Sequence, residues 1–171
     1  PNTVERACAA ARDLGVWMVN VHALGGAEMI QAARSGLGNA PNRSLLTAVT
    51  ILTSMDAASL SAIGFHQEPA EMVIRLAQLA QKSGADGVIC SANEAKELNA
   101  RLGDNFIKVT PGIRPSGTAF DDQKRVMTPS EAIKQGADYL VIGRPITQAP
   151  DPVSVLTSVI QEIENSVNFD A

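Results

Sequence analysis

The sequence is poor in aromatic residues: one Trp, one Tyr and four Phe make up 4% of its 171 residues. Stacking platforms for bases are therefore scarce, and 14 Lys and Arg against 18 Asp and Glu leave a formal charge of −4. Neither feature suits a phosphate backbone, so no nucleic-acid partner is expected. Two cysteines, Cys8 and Cys90, cannot supply a disulfide framework. Their apolar surroundings suggest reduced core thiols in a cytoplasmic protein. No apolar run reaches the ~18 residues of a membrane span, and no basic-then-apolar leader opens the chain, so no membrane partner is expected. No His/Cys/Asp/Glu cluster has metal-ligand spacing, so no metal site is expected. Gly-x-Ser-x-Gly and Gly-x-Gly-x-x-Gly turns are also absent.

What is present is 45% hydrophobic sequence, enough to exclude disorder and to bury a core without staples. The length suggests one domain over residues 1–171. Asn2 and Glu5 have the spacing of a capping box, which predicts a helix stopping at Leu14-Gly15. An apolar strand over Val16–Val21 follows, then Gly25-Gly26 and a helix from Ala27 to Arg34. Leu45–Leu52 reads as a strand. Pro69–Lys82 reads as a helix, with Met72, Ile74, Leu76, Leu79 and Ala80 at helical spacing. Gly87–Cys90 is a strand, Ala92–Leu102 a helix and Phe106–Thr110 a strand. A long loop, Pro111–Met127, leads to Thr128-Pro129-Ser130-Glu131, which combines a cap, Pro at the first helical position and a closing Glu. Tyr139–Ile142 is the last strand, and the last helix starts near Asp151-Pro152.

Apolar strands alternating with helices indicate a parallel sheet covered by helices, an α/β fold. Lys82–Ile89 echoes Lys134–Val141: each is a helix ended by Gly, an Asp-bearing turn and a buried strand. Five strands at roughly 30 residues per unit keep the pace of a TIM (β/α)₈ barrel of ~250 residues. The 171 residues would then be its C-terminal portion, about the last five units, with some three units expected ahead of Pro1. An open doubly wound sheet is the alternative, weakened by the missing glycine fingerprint.

Either architecture places ligands at the C-terminal ends of the strands. There the sequence offers His22, Thr53-Ser54, Ser91-Ala92-Asn93, Pro111–Arg114 and Gly143-Arg144. The last two loops suit a phosphate, with backbone N–H groups near Gly143 and the charged forks of Arg144 and Arg114. Surface arginines paired with nearby acids are the competing reading. Gln123 lies in the long loop, which is either a lid or a solvated connection. His22 reads as a core or rim residue before a base, His66 as solvated, and Asp86 and Asp138 as structural members of helix-to-strand turns. A binding end stands without an acid/base pair.

Val19–Ala23, Leu52–Met55, Val109–Pro115, Asp122–Arg125 and Val141–Thr147 resemble bacterial-type orotidine 5′-phosphate decarboxylase over the whole chain. The resemblance implies a TIM-barrel homodimer with shared active sites. It would release CO2 from orotidine 5′-phosphate to give UMP in pyrimidine biosynthesis, without metal or cofactor. It further implies that Gln123, Gly143 and Arg144 hold the phosphate with Arg114 beside it. Thr53 would meet the pyrimidine ring, Pro111 would line the pocket, and Thr3 would touch the ribose in the partner's site. In the family an Asp-x-Lys-x-x-Asp segment runs into Pro-Asn-Thr and performs the chemistry. None of those catalytic charges is among the 171 residues, so the chain alone is expected to be inactive. Alternatives are another phosphate-binding barrel acting on a sugar phosphate, and a non-catalytic nucleotide-binding fragment.

Overall fold

The computed structural model describes residues 1–115 and 126–168. In chain order these form α1 (Asn2–Asp13), β1 (Met18–His22), a 3-10 turn (Ala23–Gly25), α2 (Ala27–Leu37) and β2 (Leu45–Val49). Then come α3 (Ala57–Ala62), α4 (Pro69–Lys82), β3 (Gly87–Ile89), α5 (Ala92–Leu102) and β4 (Ile107–Thr110). The last elements are α6 (Pro129–Lys134), β5 (Tyr139–Leu140), α7 (Arg144–Thr147) and α8 (Pro152–Asn168).

The five strands form one sheet in the order β1-β2-β3-β4-β5, every neighbouring pair parallel. Consecutive order without a reversal sets aside the doubly wound alternative, whose ligand crevice lies where strand order turns back. Successive side chains alternate between faces, so register sorts them into rows. His22, Val49, Ile89, Val109 and Tyr139 share one row; Val21, Ala48, Val88 and Lys108 share a row of the opposite set. Val21, Ala48 and Val88 pack with Ile30, Leu37, Leu60, Val73 and Leu76 in the main core between sheet and helices. Cys8 and Cys90 are free thiols within that core, and burial pushes the Cys8 thiol upward in pKa.

Local chemistry explains most boundaries. α4 and α5 have their expected limits, although α4 buries Val73 and Ala77 and leaves Ile74 and Leu79 half-buried. At α6 the capping box is complete: Glu131 N–H bonds to Thr128 Oγ1 at 3.4 Å, and Thr128 N–H bonds to Glu131 Oε2 at 3.1 Å. The box expected at Asn2 does not form. Pro1 is the cap of α1 and Asn2 is already helical, so its side chain cannot reach back to the free N–H groups; Glu5 N–H bonds to the Pro1 carbonyl at 2.9 Å instead. β1 starts two residues later and ends one residue later than the apolar run predicts, and β2 ends at Val49 rather than Leu52.

The internal echo is a shared piece of carpentry. Gly84 and Gly136 end their helices with φ of 89° and 94°, which favours residues without a Cβ. Asp86 N–H then bonds to the Leu46 carbonyl at 2.7 Å, and its carboxylate accepts from Leu46 N–H at 2.8 Å. Asp138 does the same with Lys108, at 2.9 and 2.7 Å. Each aspartate clamps its incoming strand to the preceding one. Gly87, at the start of β3, has no room for a side chain: a Cβ there would lie 2.3 Å from the Ile107 carbonyl oxygen of β4.

Candidate functional site

The C-terminal ends of β2 to β5 are tied together by bonds that continue past the strands. Thr50 N–H and Oγ1 both bond to the Ile89 carbonyl, at 3.1 and 2.9 Å. Cys90 N–H reaches the Val109 carbonyl at 3.1 Å, and Val141 N–H reaches Thr110 at 2.9 Å. The segments after the strands therefore leave side by side. After β2, Asp56 turns the chain into α3 by accepting from Ser59 N–H at 2.9 Å and Ser59 Oγ at 2.7 Å. After β3, Ser91 caps α5 through Asn93 N–H at 3.3 Å.

A cavity of about 190 Å³ opens at this end, with Val49, Ile51 and Ile89 as apolar walls and Thr53, Ser54, Cys90 and Pro111 around them. It brings together Thr53 and Pro111, two of the residues singled out in the sequence. Thr53 is buried and Pro111 half-buried. The apolar walls were not foreseen as site residues, because a buried Ile at the end of a strand carries the same sequence signal as any core position.

Past Pro111, Gly112 has φ 81°. Arg114 N–H bonds to the Met127 carbonyl at 3.0 Å, and Ile113 forms a parallel bridge with Met127, so both ends of the long connection are pinned together. Arg114 is not a surface arginine: it is 6% exposed, and its Nη1 donates to the Ile113 carbonyl at 2.9 Å. Its Nε has no hydrogen-bond partner among the described residues. Gln123 lies outside the described residues.

On the neighbouring strand end Gly143 caps α7, its carbonyl accepting from Ile146 N–H at 2.9 Å and Thr147 N–H at 3.0 Å. Arg144 is half-buried at the first position of α7, and Gly143 is exposed. Neither lines the cavity around Thr53. Thr3 is exposed in the first turn of α1. Its neighbour Val4 shares a groove with His22 and Gly25, which puts the start of α1 at the level of the strand C-terminal ends. His22 is an exposed rim residue, and His66 is exposed.

The strongest electrostatics sit at the opposite end of the sheet. Arg43 bonds to Asp86 in bidentate fashion, at 2.7 and 2.5 Å, with Arg34 3.8 Å away. Burial raises the Asp86 carboxyl, but the bonds from Arg43 and Leu46 N–H and the nearby positive charges outweigh it and hold the group below its usual value. Hydrogen bonding to Asp86 raises Arg43 in turn. Asp138 pairs with Lys108 Nζ at 3.0 Å. Both aspartates thus do structural work. Among the described residues no group of three or more His, Cys, Asp or Glu is placed to hold a metal ion, and no described helix is long and apolar enough to cross a membrane.

A consecutive parallel β/α sheet whose strand ends carry an apolar cavity beside arginine- and glycine-bearing turns belongs to the (β/α)₈ barrel enzymes, of which this chain supplies about five units. The chain matches the orotidine 5′-phosphate decarboxylase / HUMPS family over residues 1–159, and it belongs to that family. It is 56% identical over 165 residues to orotidine 5′-phosphate decarboxylase from Nitrosococcus oceani, covering 96% of this chain and 71% of that protein. A relative of the same name from Pseudoalteromonas atlantica is 57% identical over 160 residues, covering 93% of this chain and 69% of the relative. The crystal structure of orotidine 5′-phosphate decarboxylase from Lactobacillus acidophilus superposes with a TM-score of 0.79 at 41% identity, over 95% of this chain and 70% of that one.

Proposed function

We propose that the strand ends described above bind orotidine 5′-phosphate and its product UMP, as part of an enzyme that releases CO2 from the substrate in pyrimidine biosynthesis. The observation that carries this is the convergence of Thr53 and Pro111 on one cavity at the strand ends, with Gly143 and Arg144 following β5, the strand paired with β4. Several curated relatives at 54–57% identity carry the decarboxylase name, which favours this reading over a sugar-phosphate enzyme.

In this reading Thr53 meets the pyrimidine ring and Pro111 walls the pocket. Gln123, Gly143 and Arg144 grip the phosphate, with Arg114 next to them. Thr3 reaches the ribose in the other subunit of a homodimer. The residues form one domain of a cytoplasmic enzyme and call on no metal or cofactor. No Asp-x-Lys-x-x-Asp run occurs in the 171 residues. This chain therefore binds and orients, and its grip on the remote phosphate lowers the barrier at the base once the catalytic charges are supplied. Alone it turns nothing over.

The test joins this chain to the part of the N. oceani relative that it does not match, and follows CO2 release from orotidine 5′-phosphate. Decarboxylation is expected, with Arg144→Ala lowering kcat/KM roughly 10–100-fold through the loss of a charge-assisted bond. A folded, inactive chimera overturns the reading.

A further inference from the structure

We propose that His22 is a further ligand-contact residue of the strand-end site, its imidazole donating a hydrogen bond to a carbonyl oxygen of the nucleotide base. The inference rests on the reading of that site given above.

Register places His22 on the face that the cavity uses. It is the last residue of β1 and pairs with Val49, which pairs in turn with Ile89. Val49 and Ile89 are two of the cavity's apolar walls. Val21, one residue earlier, packs against the core between sheet and helices, so alternation turns His22 the other way, with Val49. About 4.8 Å, one strand spacing, separates the two positions.

On the β1 side of the cavity the chemistry singles out this residue. The row through His22, Val49, Ile89 and Val109 holds one hydrogen-bonding side chain, the imidazole. Asn20, two residues earlier, lies a layer further from the strand end and pairs with Thr47. The residues after β1, Ala23, Leu24, Gly25 and Gly26, carry no polar side chain. Nor is His22 used locally, since it makes no side-chain cap bond to the 3-10 turn that follows it. In the proposed reading Gly143 and Arg144 take the phosphate and Thr53 meets the ring, which leaves base carbonyls still to be satisfied. A carbonyl taken out of water without a donor is costly, and a neutral imidazole supplies one N–H.

The experiment uses the chain joined to the unmatched part of the N. oceani relative, with two probes: UMP, and ribose 5-phosphate, which has no base. His22→Ala should weaken UMP binding roughly 3–10-fold, the loss of one neutral hydrogen bond, and leave ribose 5-phosphate binding unchanged. His22→Gln, which keeps an N–H donor, should recover part of the UMP affinity. In NMR spectra of the wild type, the imidazole resonance that His22→Ala removes should shift with UMP and stay in place with ribose 5-phosphate. Circular dichroism of both variants should match wild type. UMP binding indifferent to His22→Ala, an equal loss for both probes, or an imidazole that ignores UMP would overturn the inference alone. A wild type that binds neither probe overturns the reading of the site, and the inference with it.

Discussion

Trp17, one residue ahead of β1, packs edge-to-face on Tyr139, the first residue of β5, with ring centroids 5.0 Å apart and planes at 73°. The two strands are the opposite edges of the sheet, four pairings apart. Along a flat sheet that distance would be about 19 Å at ~4.8 Å per strand, so the sheet must curl around an axis for the rings to meet. The pair closes the N-terminal end of the curl, opposite the proposed binding end. It is also the chain's only Trp and only Tyr, which makes the contact easy to observe.

A double-mutant cycle of Trp17→Leu and Tyr139→Leu should return a coupling of about 0.5–1.5 kcal/mol, the range for such aromatic pairs. Trp17 is the sole tryptophan, so Tyr139→Leu should also change its fluorescence without unfolding the chain. Zero coupling with unchanged emission would mean that the two rings do not meet in solution.

Asp86→Asn removes the charge that Arg43 grips and should cost about 2–3 kcal/mol at neutral pH. The sign with pH follows from the depressed pKa of Asp86. The stabilisation is present in full above the ordinary value of 3.8 and is lost as pH falls through the lower folded value. Urea melts from pH 7 to pH 3 should show wild type and variant converging below pH 3.8. A gap that stays constant would remove ionised Asp86 from the account.

The Lys108–Asp138 pair should respond asymmetrically. Lys108 is 1% exposed, whereas Asp138 is exposed to solvent. Asp138→Asn leaves a buried ammonium without its counter-charge, with only the Asp104 carbonyl at 3.5 Å and a neutral amide beside it, and should cost about 3 kcal/mol. Lys108→Met leaves a carboxylate that water can solvate and that still accepts from the backbone, so its cost should be under about 1.5 kcal/mol. Denaturant midpoints of the two variants check the order, and equal losses would contradict it.

Thr128→Ala should cost about 1 kcal/mol and speed amide exchange in the first turn of α6, since it removes the acceptor for Glu131 N–H. Bonds from the Thr128 side chain and backbone hold the Glu131 carboxyl below its usual 4.5. Carboxyl NMR titration of the variant should show that depression relieved in part, since the bond from the backbone N–H at 128 remains.

Much of this fold is legible in sequence where the determinants are local. The box at Thr128 needs only four residues to be read, and α4 is set by Pro69 at its start and Gly84 after its end. The Gly-Ala-Asp echo likewise anticipates two clamps. Two short helices escape such reading: α3, announced only by Asp56 and Ser59, and α7, only four residues long with Pro145 inside it. The end of β2 is not legible in the sequence, because apolar residues such as Ile51 continue past the ladder to wall a cavity, and hydrophobicity does not distinguish those two uses.

The sequence by itself determined the alternation of helix and strand and the parallel sheet, because periodicity, caps and crossover geometry are properties of neighbouring residues. Its strand-end segments also carried the family. Only the tertiary structure decided the consecutive strand order, the curl that brings Trp17 to Tyr139, the burial of Arg114 and the sharing of one cavity by Thr53 and Pro111. Those are contacts between residues tens of positions apart, and they exist only once the helices have packed the strands into register.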